Sequence, residues 1–144
     1  MNAIVLYRVE RWLYLHRLIF GAKLIRALIY LLHNSFIPYT ADIGEGTEFG
    51  YKGIGVVVHS RAVIGKNCLI SQNVTIGGRE GHKNVPVIGD NVKLCAGSMV
   101  LGEVVLGNNV IVGANAVVLH DMPDNSVCAG VPAKILKYVK DVNE

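Results

Sequence analysis

VHSRAVIGKNCLISQNVTIG, residues 58–77, places a large aliphatic side chain at every sixth position: Val58, Ile64, Ile70 and Ile76. The same step resumes at Ile88 and runs through Leu94, Val100, Leu106, Val112 and Val118; the gap from Ile76 to Ile88 is itself two periods. A small or β-branched residue stands four places after most of these positions, at Ala62, Val74, Val92, Ser98, Val104, Val110 and Ala116, and Gly often follows the aliphatic directly. Neither a helix, with its period of 3.6, nor a half-buried strand, with its period of 2, sustains a repeat of six. A stacked coil does, because each hexapeptide supplies one short strand and one turn with the aliphatic pointing inward. Ordinary sandwich strands have no reason to hold one register over so many repeats. Three hexapeptides per coil stack residues eighteen apart, which predicts His59, Gly77, Cys95 and Gly113 in one column.

Two interruptions mark the coil. From Phe49 to Val58 the step is nine, so three extra residues within Phe49–Gly55 form a local bulge or loop. Residues 78–87 begin Gly-Arg-Glu-Gly-His-Lys-Asn-Val-Pro, polar and glycine-bounded, and read as a loop thrown outward from one corner. Loops on a rigid scaffold are where function concentrates. Beyond Val118 the pattern ends in a turn over His120–Ser126, then Val127–Lys134 and a short basic tail, 137–144.

Upstream, residues 1–36 form a helical arm. Ile25, Leu28, Ile29 and Leu32 keep helical spacing, and Gly21 is placed to separate two helices. Ala27–Ala41 lacks Asp, Glu, Lys and Arg, but contains His33, Asn34, Ser35 and Pro38 and is shorter than the roughly 20 apolar residues of a membrane span. Arg8, Glu10 and Arg11 interrupt the place where a cleavable signal has its apolar core. The net charge of +3 is concentrated in this arm: Arg8, Arg11, Arg17, Lys23 and Arg26 against Glu10 give it +4 and leave −1 for the rest. The arm either packs on the coil or a neighbouring subunit, or rests as a basic amphipathic element on an anionic membrane face.

At 144 residues, with 51% hydrophobic residues and 16 Gly, the chain is one globular domain built on tight turns. Cys68, Cys95 and Cys128 are odd in number and far apart, and read as reduced filler in a cytoplasmic protein rather than a disulfide framework. The repeat has no cluster of basic and base-stacking aromatic residues, so nucleic-acid binding is set aside.

The repeat, the loop after Thr75-Ile76-Gly77-Gly78 and the closing Gly130-Val131-Pro132-Ala133-Lys134 together resemble the hexapeptide acyltransferases, most closely the serine acetyltransferase branch, over residues 37–136. The resemblance implies a mainly β fold, a left-handed parallel β-helix with the short arm at its start. It also implies a homotrimer with active sites between subunits, and acetyl transfer from acetyl-CoA. Cofactor contacts carried over from it are Gly77, Gly78, Ala96, Ala114, Ala133 and Lys134, with Lys137 and Lys140 as weaker cationic candidates; no metal is expected. An acceptor hydroxyl attacking a thioester needs a positioned base, and histidine titrates in the useful range. His59 stands in a column otherwise held by small residues, and His82 lies in the outward loop, so both are candidates for that base. The family places a histidine where this chain has Tyr51, whose phenol is a poor base at neutral pH unless Lys52 activates it. His16, His33 and His120 are expected to be solvated or capping residues. Short members with a basic arm resemble the enzymes that acetylate sugars of cell-surface polysaccharides, and a lipid-linked sugar would give the arm a membrane to rest on. Free serine, a non-catalytic trimeric scaffold and a zinc hydratase are the other readings.

Overall fold

A computed structural model describes residues 1–139, and the register of six is its core. Val58, Ile70, Ile76, Val100, Val112 and Val118 have no exposed surface, and Ile64, Ile88, Leu94 and Leu106 are buried with them. The small residues four places on, from Ala62 to Ala116, are buried too, filling the narrow corners between faces. Cys68 and Cys128 are buried fillers of the same kind, and burial pushes both thiols up from their ordinary range.

The coil is a triangular prism wound left-handed, opposite to the crossover preference of βαβ units. Its first face stacks Asp42–Ile43, Val63–Ile64, Val87–Ile88 and Val105–Leu106. The second stacks Glu48–Phe49, Leu69–Ile70, Lys93–Leu94, Ile111–Val112 and Ser126–Gly130, and the third Val57–Val58, Thr75–Gly77, Met99–Leu101 and Val117–Val118. Neighbouring coils pair in parallel, and Phe36 opens the third face by bridging to Val57. Two-residue strands demand sharp corners, and asparagine supplies them. Asn67, Asn91, Asn109 and Asn125 form one column at φ 54–60°, and Asn73 and Asn115 belong to another. A short polar side chain tolerates this left-handed conformation better than other non-glycine residues do.

One column expected from the eighteen-residue rule is corrected. Val57 pairs with Thr75 at that spacing, but Thr75 pairs with Met99. The outward loop removes a hexapeptide's length from the winding. His59 therefore stacks over Gly77, Leu101 and Leu119, whereas Cys95 and Gly113 lie at the exit of the second face.

The helical arm consists of α1 (Ala3–Leu15) and α2 (Ile19–His33). The helices part at Arg17, which sits at φ 61°, and not at Gly21. Gly21 falls in the first turn of α2, where a Cβ would come within 3.3 Å of Leu13; its role is close helix crossing. Asn2 caps α1 by accepting from the Ile4 amide at 3.1 Å and donates to the Phe49 carbonyl at 2.8 Å. The buried Tyr7 hydroxyl donates to the Ala41 carbonyl at 2.7 Å and accepts from the Ile43 amide at 3.2 Å. Arg8 donates to the carbonyls of Ile43 and Gly44, and Arg11 to that of Tyr39, with Asp42 3.6 Å away. Two of the arm's five cations thus hold the first coil. Among the described residues, no helix is long and apolar enough to cross a membrane.

At the other end, the expected turn and basic tail contain a hairpin: Ser126–Gly130 pairs antiparallel with Ala133–Tyr138 through a cis Val131–Pro132 turn. Lys137 is a strand residue opposite Val127, while Lys140 lies outside the described residues.

Candidate functional site

His59 follows the third-face strand Val57–Val58 and turns the corner towards the first face. Its amide donates to the Ile76 carbonyl, which fixes the backbone against the coil below. Its ring Nδ1 accepts from the backbone amide of Arg61 at 3.1 Å. Beside the ring lies bare main chain. A Cβ built on Gly78 would stand 3.7 Å from His59 Cδ2 and 3.9 Å from Nε2, ordinary contact distances. Gly77 would also accommodate a Cβ, at 3.4 Å from Leu101. Neither glycine is at positive φ, so the turn itself requires neither. What their missing side chains leave is an open strip of backbone next to an imidazole.

The outward loop springs from this strip. Arg61 donates to the Lys83 carbonyl at 2.7 Å, Asn84 donates to Glu103 at 2.5 Å, and the His82 amide closes a turn onto the Arg79 carbonyl. These bonds hold the loop along the edge below His59. There it closes a polar cleft of about 360 Å3 lined by Arg79, His82, Glu103, Leu119, His120 and Asp121. His120, expected to be merely solvated or capping, faces this cleft. Counting the loop as no part of the winding puts Leu119 in the column of His59, and would have located His120 and Arg79 from sequence. A larger recess of about 440 Å3, lined by α2 and Phe36, is apolar and lies apart from these histidines.

The remaining candidates lie elsewhere. Tyr51 occupies the three-residue bulge between the second and third faces, at φ 49°, and is 75% exposed. The bulge is anchored by the Ser35 hydroxyl, which donates to the Gly53 carbonyl and accepts from the Val56 amide at 3.0 Å. Ala96 and Ala114 share that same edge two and three coils further on, linked through the Asn115 amide to the Ala96 carbonyl. Ala133 and Lys134 sit in the closing hairpin on the second face, opposite Gly130 and Ala129. The structure therefore brings together His59, Gly77 and Gly78 on one edge, with the loop bearing His82 leaving from it, and Tyr51, Ala96 and Ala114 on another. Of the histidines in the arm, His16 does cap α1, its ring within 2.8 Å of the Trp12 carbonyl. His33 is buried rather than solvated, and burial lowers its proton affinity, with the N-terminus and Lys52 adding to the effect. Among the described residues no three metal-ligating side chains converge.

Residues 86–120 match the family model for bacterial transferase hexapeptide (six repeats). The serine acetyltransferase of Synechococcus elongatus is 38% identical over 94% of this chain and 56% of its own length. Among solved structures, the serine acetyltransferase from Brucella abortus in complex with coenzyme A superposes with a TM-score of 0.89 at 30% identity, covering 96% of this chain and 56% of that one. The Neisseria gonorrhoeae enzyme in complex with serine gives 0.84 at 34%, over 92% and 54%. The chain thus spans a little over half the length of these relatives. On its repeat, its prism and these matches, the chain belongs to the hexapeptide-repeat acyltransferase superfamily, on its serine acetyltransferase-like branch.

Proposed function

We propose that this protein transfers acetyl from acetyl-CoA to the hydroxyl of serine, and that it works as a homotrimer. The observation that carries the reading is the pairing, on one prism edge, of His59 with the uncovered main chain of Gly77 and Gly78 under a polar loop. An acyl-transfer site needs three things: room for a thin thioester arm to lie on the backbone, a donor for the developing oxyanion, and a group to take the hydroxyl proton. Glycine main chain answers the first, and imidazoles on the edge answer the other two. The division of the candidates between two edges supports the trimer, because a pocket using both sets has to be assembled from two chains. Tyr51 and Ala114 of one copy would then face His59 of the next.

The serine acceptor rests on the relatives, whose names and complexes are with coenzyme A and serine. The sugar hydroxyl expected from the arm's charge has no counterpart among them, and Arg8 and Arg11 have structural work on the first coil. Incubation with acetyl-CoA and a panel of L-serine, nucleotide-linked sugars and lipid-linked sugars, following free CoA thiol, tests this directly. Release with serine at least tenfold above the sugars is expected; release with the sugars alone would return the acceptor to polysaccharide chemistry.

A further inference from the structure

We infer that His59 acts in acyl transfer as a hydrogen-bond donor through Nε2–H to the thioester oxygen, and that the hydroxyl proton goes instead to His82. This assignment of roles rests on the reading of the edge as an acyltransferase site. The argument starts from one bond. A backbone N–H can only donate, so the Arg61 amide 3.1 Å from His59 Nδ1 requires a lone pair on that nitrogen. A neutral imidazole has one N–H, and with Nδ1 as acceptor it is on Nε2. Nε2 is also the ring nitrogen nearest the open position at Gly78. The nitrogen facing the site therefore already carries a proton and has no lone pair to offer a hydroxyl. To serve as base there, the ring would first have to place a proton on Nδ1, directly against the Arg61 amide. Arg61 cannot easily yield, because its guanidinium is tied to the Lys83 carbonyl within the loop.

A donor aimed at this strip fits the other half of the reaction. The serine hydroxyl oxygen bonds to the thioester carbonyl carbon while its proton passes to a neutral imidazole of His82. The carbonyl oxygen gains negative charge and is held by His59 Nε2–H. Collapse re-forms the carbonyl, breaks the carbon–sulfur bond, and the departing thiolate takes the proton back from His82. The products are the acetyl ester and CoA thiol, with both histidines as they began. His82 is assigned the proton because it stands on the loop that leaves the Gly77–Gly78 strip and immediately precedes Lys83, whose carbonyl holds the guanidinium of the same Arg61 that fixes the His59 ring.

Two measurements test the assignment. Nitrogen-15 NMR of the protein labelled at histidine reads the tautomer without turnover: His59 is expected as Nε2–H, and a dominant Nδ1–H form overturns the proposal. In the thiol-release assay, His59→Gln keeps an N–H near the position of Nε2, whereas His59→Ala does not. His59→Gln is expected to retain at least tenfold more kcat than His59→Ala and to keep the acidic limb of the pH profile, and His82→Asn is expected to lose that limb. Equal loss in both His59 variants, disappearance of the limb in His59→Gln, or its survival in His82→Asn overturns the assignment. If the wild-type protein releases no thiol with any acceptor, the acyltransferase reading fails, while the tautomer still reports on His59.

Discussion

Gly65→Ala is expected to destabilise the protein by on the order of 3–5 kcal/mol, the range of the most damaging single substitutions and a large part of a domain's total stability. Gly44, Gly65, Gly89 and Gly107 form a column at the exit of the first face, each amide bonded to a carbonyl of the coil below. A Cβ on Gly65 would lie 2.4 Å from the Gly89 carbonyl oxygen and 2.5 Å from its carbon, and 2.4 Å from Asp90 Oδ1. Main chain cannot step aside as a flexible side chain can, so the coils must part and the Gly65–Ile88 hydrogen bond must lengthen or break. Gly78 makes the contrast. Its added methyl meets the His59 ring at 3.7 Å or more, so Gly78→Ala should shift stability by less than about 1 kcal/mol. It should nevertheless lower acetyl transfer at least tenfold, because the methyl occupies the strip the donor needs. Thermal melts of the two variants beside the wild type check both halves. Equal melting of wild type and Gly65→Ala would mean the coils do not stack as described.

The second large effect belongs to Glu10. It is fully buried on α1, both carboxylate oxygens are without a hydrogen-bond partner among the described residues, and desolvation raises its pKa to about 8 despite the nearby Arg26. An acid whose pKa is higher folded than unfolded is favoured by folding when protonated. Its contribution is fully present below about 4.5 and is lost as pH rises through about 8. Wild-type stability should therefore fall across that window, by roughly 3 kcal/mol by neutral pH. Glu10→Gln keeps the shape and removes the ionisation, so its melting temperature should lack this fall from pH 5 to 8 and exceed the wild type at pH 7.5, while buried His33 adds a rise towards neutral pH in both proteins. Melting temperature against pH for both proteins decides it; parallel curves would show that Glu10 finds a compensating charge.

The prism was legible because burial imposes one rule on every coil. Val58, Ile64 and Ile70 must be aliphatic wherever three faces converge on an axis, so their spacing survives any change at the surface. The asparagines at φ above 50° were equally visible, three places after Ile64, Ile70, Ile88, Leu106 and Val112, but carry a backbone signal rather than a hydrophobic one. Handedness was not in the pattern, since a period of six winds either way, and it came only with the resemblance. The misplaced column shows a different limit. Residues 78–87 lengthen their coil from eighteen to 24 residues, one full period, yet leave the winding, and spacing alone does not say whether a segment counts as winding. That single ambiguity moved Cys95 and Gly113 away from His59 and hid His120 beside the cleft. The separation of Tyr51 and Ala114 from His59 was hidden for a related reason: which edge a residue occupies depends on the winding count, and in the proposed trimer which edges meet depends on another chain.

The edge bearing His59 is the centre of the account, and a crystal structure of the protein with CoA tests it most directly. The account predicts the thiol sulfur beside Gly77 and Gly78, within reach of His59 Nε2, with a second copy's Ala114 edge closing the groove. CoA lying instead along an edge remote from His59, or no CoA bound at millimolar concentration, would contradict it.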